Sequence, residues 1–184
     1  MSFSSIELCS KALNKIGANS ITAFNEGTVE ADVCSSIYSC LKQKLLSLYS
    51  WSFAIKTSNL EKTESAERYD YKYAYVLPND FLRAIKIASG MMYKIAGSYL
   101  FSDDEDVILE YIADVDEAKF SPLFISAFIY LMSAELSISL LNDTSKYTLF
   151  YRLFNSEIKE AKSMDSMQET NKTIKNFSLV NARK

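Results

Sequence analysis

Residues 71–87 read Tyr71-Lys72-Tyr73-Ala74-Tyr75-Val76-Leu77-Pro78-Asn79-Asp80-Phe81-Leu82-Arg83-Ala84-Ile85-Lys86-Ile87, a short distance after the aromatic motif Trp51-Ser52-Phe53-Ala54. Two alternating runs, rich in aromatic and branched residues, flank the break Leu77-Pro78-Asn79-Asp80. Pro78 has no N–H to give to a ladder and pushes Leu77 toward extended geometry, so the first run ends there. The stretch reads strand, turn, strand. Nothing in it is chemically reactive, so its value is architectural.

Downstream the β signal continues. Ser89-Gly90 is a turn, residues 91–96 form a short strand, and Gly97-Ser98 is a two-residue hairpin loop. Residues 99–102 and 107–113 complete a meander. Upstream, Trp51 opens an extended stretch over 51–60, and the charged residues 61–70 read as a loop.

Both flanks of this block are helical in pattern. Ile6, Cys9, Ala12, Leu13 and Ile16 recur at helix spacing, with Ser4 or Ser5 as a cap and Gly17 as a left-handed stop. Val29, Val33, Ile37, Leu41, Leu45 and Leu48 recur every four residues or nearly so, predicting an amphipathic helix over 28–49. Ser121-Pro122 opens a third helix, with proline at its first position. Residues 123–141 then carry one charge, Glu135. Tyr147, Phe150, Tyr151, Phe154 and Ile158 mark a fourth helix over 144–164.

The expected fold class is therefore mainly α with a β insertion. It is an antiparallel helical bundle of two N-terminal and two C-terminal helices, with an inserted antiparallel β meander. The expected units are a bundle from 1–50 and 120–165, a β-rich insertion at 51–119, and a flexible C-terminal docking tail at 166–184. Phe124, Phe128, Leu131 and Leu136 are the expected core of the central helix. That helix is long enough for a membrane span. Glu135 and the serines 126, 133, 137 and 139 argue instead for the centre of a bundle, since a buried glutamate in lipid costs a few kcal/mol.

The chain has 184 residues, 48% of them hydrophobic and 13% aromatic, enough for one cored domain. Its net charge of −3 lacks the basic excess of a free-standing nucleic-acid binder. It has no histidine, which removes Ser-His and Cys-His catalysis and histidine metal sites. Cys9, Cys34 and Cys40 have no metal-type spacing and read as small buried thiols of a reducing compartment. The start Met1-Ser2-Phe3-Ser4-Ser5 lacks the basic flank and apolar run of a secretory signal.

Asp103-Asp104-Glu105-Asp106 is the densest acidic run. It lacks calcium-loop spacing and glycine. A solvated turn between strands accounts for it, and an acidic collar facing DNA or a basic partner is the other reading. Glu26, Glu30 and Asp32 offer carboxylate pairs for a glycosidase. The dipole at the start of the second helix explains the same acids without catalysis.

The order of motifs carries a further signal. Glu7-Leu8-Cys9, Leu13-Asn14-Lys15-Ile16-Gly17-Ala18, Ser20-Ile21-Thr22 and Glu26-Gly27-Thr28-Val29-Glu30-Ala31 come first. Trp51-Ser52-Phe53-Ala54 and Tyr73-Ala74-Tyr75-Val76-Leu77-Pro78-Asn79-Asp80-Phe81-Leu82-Arg83 follow. Val107-Ile108-Leu109-Glu110-Tyr111-Ile112, Phe120-Ser121-Pro122-Leu123-Phe124 and Ala134-Glu135-Leu136 complete the series. Over about residues 3–165 this series resembles the tail tubular protein A family, the head-to-tail adaptors of short-tailed double-stranded DNA phages.

The resemblance implies a virion protein without catalytic residues, cofactor or metal. It implies a monomer or assembly intermediate in the host cytoplasm and a dodecameric ring between portal protein and tail nozzle protein. Packaged DNA would pass through the channel without sequence recognition, and no membrane is involved. The expected portal-docking residues are Lys172, Ile174, Lys175, Phe177, Leu179, Val180 and Arg183 in the basic tail. Those expected at the nozzle or a neighbouring copy are Met91, Met92, Tyr93 and Tyr99 in the β block. The competing reading is a virion-associated, carboxylate-dependent glycan or peptidoglycan hydrolase.

Overall fold

A computed structural model describes residues 3–64 and 70–168. Among them the chain forms α1 (Ser5–Ile16), α2 (Val29–Ser47), β1 (Ile55–Asn59), β2 (Lys62–Thr63), β3 (Tyr73–Val76) and β4 (Phe81–Ile87). Then come β5 (Tyr93–Ala96), β6 (Tyr99–Ser102), β7 (Ile108–Ala113), α3 (Pro122–Leu141) and α4 (Thr144–Ser166).

The four helices start and stop where local chemistry dictates. Ser4 and Glu7 form a reciprocal capping box on α1: Ser4 N–H donates to Glu7 Oε2 at 2.7 Å, and Glu7 N–H to Ser4 Oγ at 3.2 Å. Gly17 ends α1 in the left-handed region at φ +83°, which a side chain would resist. Thr28, Ser121 and Asp143 cap α2, α3 and α4 with side-chain oxygens.

The apolar stripe of α2 differs from the sequence expectation. A spacing of four advances about 40° per step on a helix, so Val29 lies about 160° from Leu45. The residues that face the core follow a three-four alternation instead: Ala31, Cys34, Tyr38, Leu41 and Leu45 are buried, while Val29 is 67% exposed.

α3 sits at the centre of the helical layer and touches α1, α2 and α4. It is long and apolar enough to cross a membrane by length and composition, yet more than half of it is buried against the rest of the protein. Phe124, Phe128, Leu131 and Leu136 are each at most 1% exposed, as expected of a core helix. The buried hydroxyls of Ser133 and Ser137 donate to carbonyls one turn back, Ile129 at 2.8 Å and Ser133 at 2.7 Å. Ser133 Oγ also lies 3.2 Å from the Ala12 carbonyl of α1, so one of these hydroxyls reaches the neighbouring helix as well.

The β region overturns the expected bundle with an inserted meander. The fold is α+β, with two antiparallel sheets ordered β1-β7-β4 and β2-β3-β6-β5. Only β2–β3 and β5–β6 pair with a strand next in sequence. β1 pairs with β7, Ile55 opposite Ile112, and β4 closes the far side of β7 with two register shifts. The stretch 71–87 is accordingly not a hairpin. β3 belongs to the outer sheet and β4 to the inner one, and Pro78-Asn79-Asp80 is the corner between them. Alternation marks each run as a strand but says nothing about its partner.

The corner is fastened on both sides. Leu77 N–H donates to the Ser98 carbonyl in the outer sheet at 3.0 Å. Asp80 accepts from Lys56 Nζ at 2.5 Å and from Tyr111 Oη at 3.0 Å, both on the inner sheet. One apolar core runs from the helices through the inner sheet to Tyr75, Leu77 and Leu100 of the outer sheet.

Candidate functional site

The β5–β6 hairpin forms at the expected loop. Ala96 pairs with Tyr99, and Gly97 takes φ +57°, the first central position of a type II′ turn, while Ser98 keeps a negative φ. β5 is the edge strand of the outer sheet. The segment before it is tied at both ends. Ser89 Oγ accepts from Met91 N–H at 3.2 Å and donates to Asp104, and Ser102 Oγ donates to the Met92 carbonyl at 3.3 Å. The backbone is held while both methionine side chains project: Met91 is 49% and Met92 83% exposed.

Of the four residues assigned to the nozzle or a neighbour, three gather and one does not. Met91, Met92 and Tyr93 are consecutive at one end of β5. Tyr93 pairs with Ser102, so Tyr99, three residues from Ser102, lies about 10 Å along the strand and on the opposite face. The portal-docking set Lys172, Ile174, Lys175, Phe177, Leu179, Val180 and Arg183 lies outside the described residues.

The carboxylates considered for hydrolysis have other occupations. Glu26 Oε2 accepts from Thr22 N–H and Oγ1 at 2.8 Å and from Ala23 N–H at 3.3 Å, and Thr28 Oγ1 donates to Oε1 at 2.8 Å. Led by the Thr22 amide, these donors hold the Glu26 carboxyl down at about 2. A group so fully ionised is a poor proton donor. Glu30 accepts from Asn19 Nδ2 at 3.3 Å.

The acidic run 103–106 is the loop from β6 toward β7. Its backbone is anchored by Tyr75, whose hydroxyl donates to the carbonyls of Asp104 at 2.5 Å and Glu105 at 3.0 Å. Burial first, then the surrounding acids, pushes the Tyr75 hydroxyl up to about 12, so it stays a donor. Asp103 accepts the Lys72 amide at 2.9 Å. No group of three or more His, Cys, Asp or Glu side chains suited to a metal ion occurs among the described residues.

Cys9 and Cys34 are buried, as expected, but Cys40 is exposed on α2. It stands two residues beyond Tyr38, on the side of the helix away from the core. The neighbouring Cys34 thiol and burial push Cys9 up, which makes it an inert packing group.

Polar clusters at element junctions were not legible as sites. Tyr38 Oη donates to Glu117 at 2.8 Å, and Lys42 Nζ pairs with Asp114 at 2.9 Å and Glu117 at 3.5 Å, tying α2 to the segment after β7. Asp165, near the end of α4, accepts from Ser52 N–H at 3.0 Å and Ser52 Oγ at 2.7 Å. At Asp80, burial raises the carboxyl, but the donors Lys56 and Tyr111 outweigh it and hold it below its ordinary value. Each of these groups is engaged with another element, so they read as fasteners. Their partners lie tens of residues away, and no local motif announces them.

No family model matches the chain, and no curated protein matches it.

Proposed function

We propose that the chain is a structural head-to-tail connector that forms a ring between a portal and a tail nozzle and extends the DNA channel. It does this by contact, without catalytic turnover or cofactor. The observation that carries the reading is the edge hairpin. The helical layer and inner sheet support an outer sheet in which, among the described residues, β5 is a terminal strand with Met91 and Met92 held out beside it. Flexible, polarisable methionine on a fixed backbone suits a contact surface. The ordered motif series from Glu7 to Leu136 gives that surface its proposed partners.

The test mixes the purified full chain with portal rings and images the product by electron microscopy. A ring of the chain seated on the portal is expected; portals that stay bare at saturating protein overturn the reading. Two deletions separate the surfaces. Removing residues 170–184 is expected to abolish portal binding while leaving the thermal midpoint nearly unchanged. Removing residues 91–99 is expected to keep the helical circular dichroism and the portal ring but block nozzle attachment.

A further inference from the structure

A groove between α1 and α3 is lined by Lys11, Asn14, Lys15, Ser126, Ile129 and Tyr130. Its two lysines form no ion pair among the described residues. Lys11 Nζ lies over the Phe3 ring at 4.7 Å and Lys15 Nζ over the Tyr130 ring at 4.5 Å. Aromatic faces hold the two ammonium groups in place without neutralising them. Asn14 accepts from Ser20 Oγ at 2.9 Å, which fixes its side chain too.

The complementary feature is on the other layer of the same chain. Glu105 and Asp106 are exposed in the loop after β6 and form no ion pair among the described residues. Their backbone is held by the fully buried Tyr75 ring, through its hydroxyl. α1 packs on α3 and α2, whereas this loop joins β6 of the outer sheet to β7 of the inner one. The basic groove and the acidic loop thus occupy different parts of the molecule, and neither makes an ion pair among the described residues, although the Glu7 carboxylate one turn away feels the Lys11 charge. Preorganised groups lose little freedom on docking.

We infer that the α1–α3 groove is the seat for the acidic 105–106 loop of a second copy. The contact is head-to-tail, since the two surfaces differ, and repeating it produces a ring or an open string. This inference rests on the connector reading for its need of contact between copies. Exposed charge pairs steer and register such contacts, and they weaken as salt shortens the screening length to about 8 Å at physiological strength.

The test is reciprocal charge reversal on the full chain, with self-association followed by sedimentation at low salt and high concentration. Lys11→Glu with Lys15→Glu, or Glu105→Lys with Asp106→Lys, is expected to weaken association by at least about tenfold while the thermal midpoint stays near wild type. Mixing the two variants, or combining all four changes in one chain, is expected to restore it. A wild-type chain that stays monomeric under these conditions overturns the inference, as do reversal variants that associate normally or a combination that fails to recover.

Portal binding is measured in parallel. Charge-independent association with intact portal binding sinks the groove contact and spares the connector reading. Charge-dependent association without portal binding does the reverse. Loss of portal binding in the lysine variant with self-association unchanged places an acidic portal segment in the groove and overturns the inference.

Discussion

The helical layer and the outer sheet dispose their apolar side chains in opposite ways. Along α3, Phe124, Phe128, Leu131 and Leu136 are sealed, while Ile138 and Leu141 near its end are exposed. On the outer sheet, β2 is two residues long, β5 is an open edge, and Met92 is left almost wholly in solvent. The first arrangement is the helical part of a core that continues into both sheets. The second has surface available for a partner at little expense to the fold. The buried side of α3 and the methionine pair beside β5 therefore respond to different substitutions.

The sharpest way to break that division is Leu131→Ala. Leu131 is 1% exposed in the central helix, and the cavity left behind is expected to cost about 2–5 kcal/mol, read from urea unfolding. A loss under about 1 kcal/mol would mean that the helical layer is not the sealed core described. Asp165→Ala comes next. It leaves the Ser52 amide without its acceptor and the Ser52 hydroxyl with only the longer contact to Gln168 Oε1 at 3.3 Å, and a loss of about 1–3 kcal/mol is expected.

A smaller effect concerns pH. Glu26 titrates lower in the fold than its ordinary 4.5, at about 2. Its contribution is therefore fully present above the ordinary value and is lost as pH falls toward the folded one. Because Glu26 is exposed, the consequence is local. Carboxyl NMR is expected to give a Glu26 midpoint far below the other glutamates, with loosening of the Thr22 and Ala23 amides as it protonates. An ordinary midpoint would show that the donors do not hold it. The smallest expected change in stability is at Met92→Ser, within about 0.5 kcal/mol, with weakened nozzle attachment as its only substantial effect. A large loss of stability there would erase the contrast between the layers.

How much of this was legible in the sequence follows the range of the forces involved. Caps and stops are local chemistry: Ser4 or Ser5, Gly17, Ser121 and the Gly97-Ser98 loop were readable, whereas Thr28 reads in the sequence as the first helical residue and proves to be the cap. The character of the β runs was readable as well. Their pairing was not: β1 and β7 are joined across more than fifty residues, and β3 and β4 separate at Pro78 into different sheets. The α2 stripe was misjudged because a strict spacing of four looks helical yet winds around the cylinder. At the candidate contact surface, Met91, Met92 and Tyr93 stand out in the sequence beside a turn, and the structure leaves the two methionines exposed and Tyr93 half-buried. The separation of Tyr99 from it required the register of β5 on β6.

The central position of α3 has a consequence for how the protein is made. α1 and α2 bury Leu8, Leu13, Cys34 and Leu45, but they meet one another far less than they meet α3. On the ribosome those faces emerge first and have no seat until the chain has been extended through Leu141. At about 5–20 residues per second, the roughly ninety intervening residues impose a delay of about 5–20 s. During that interval the α3-facing sides of the two amphipathic helices stay uncovered, and the helical layer closes only when its third helix arrives.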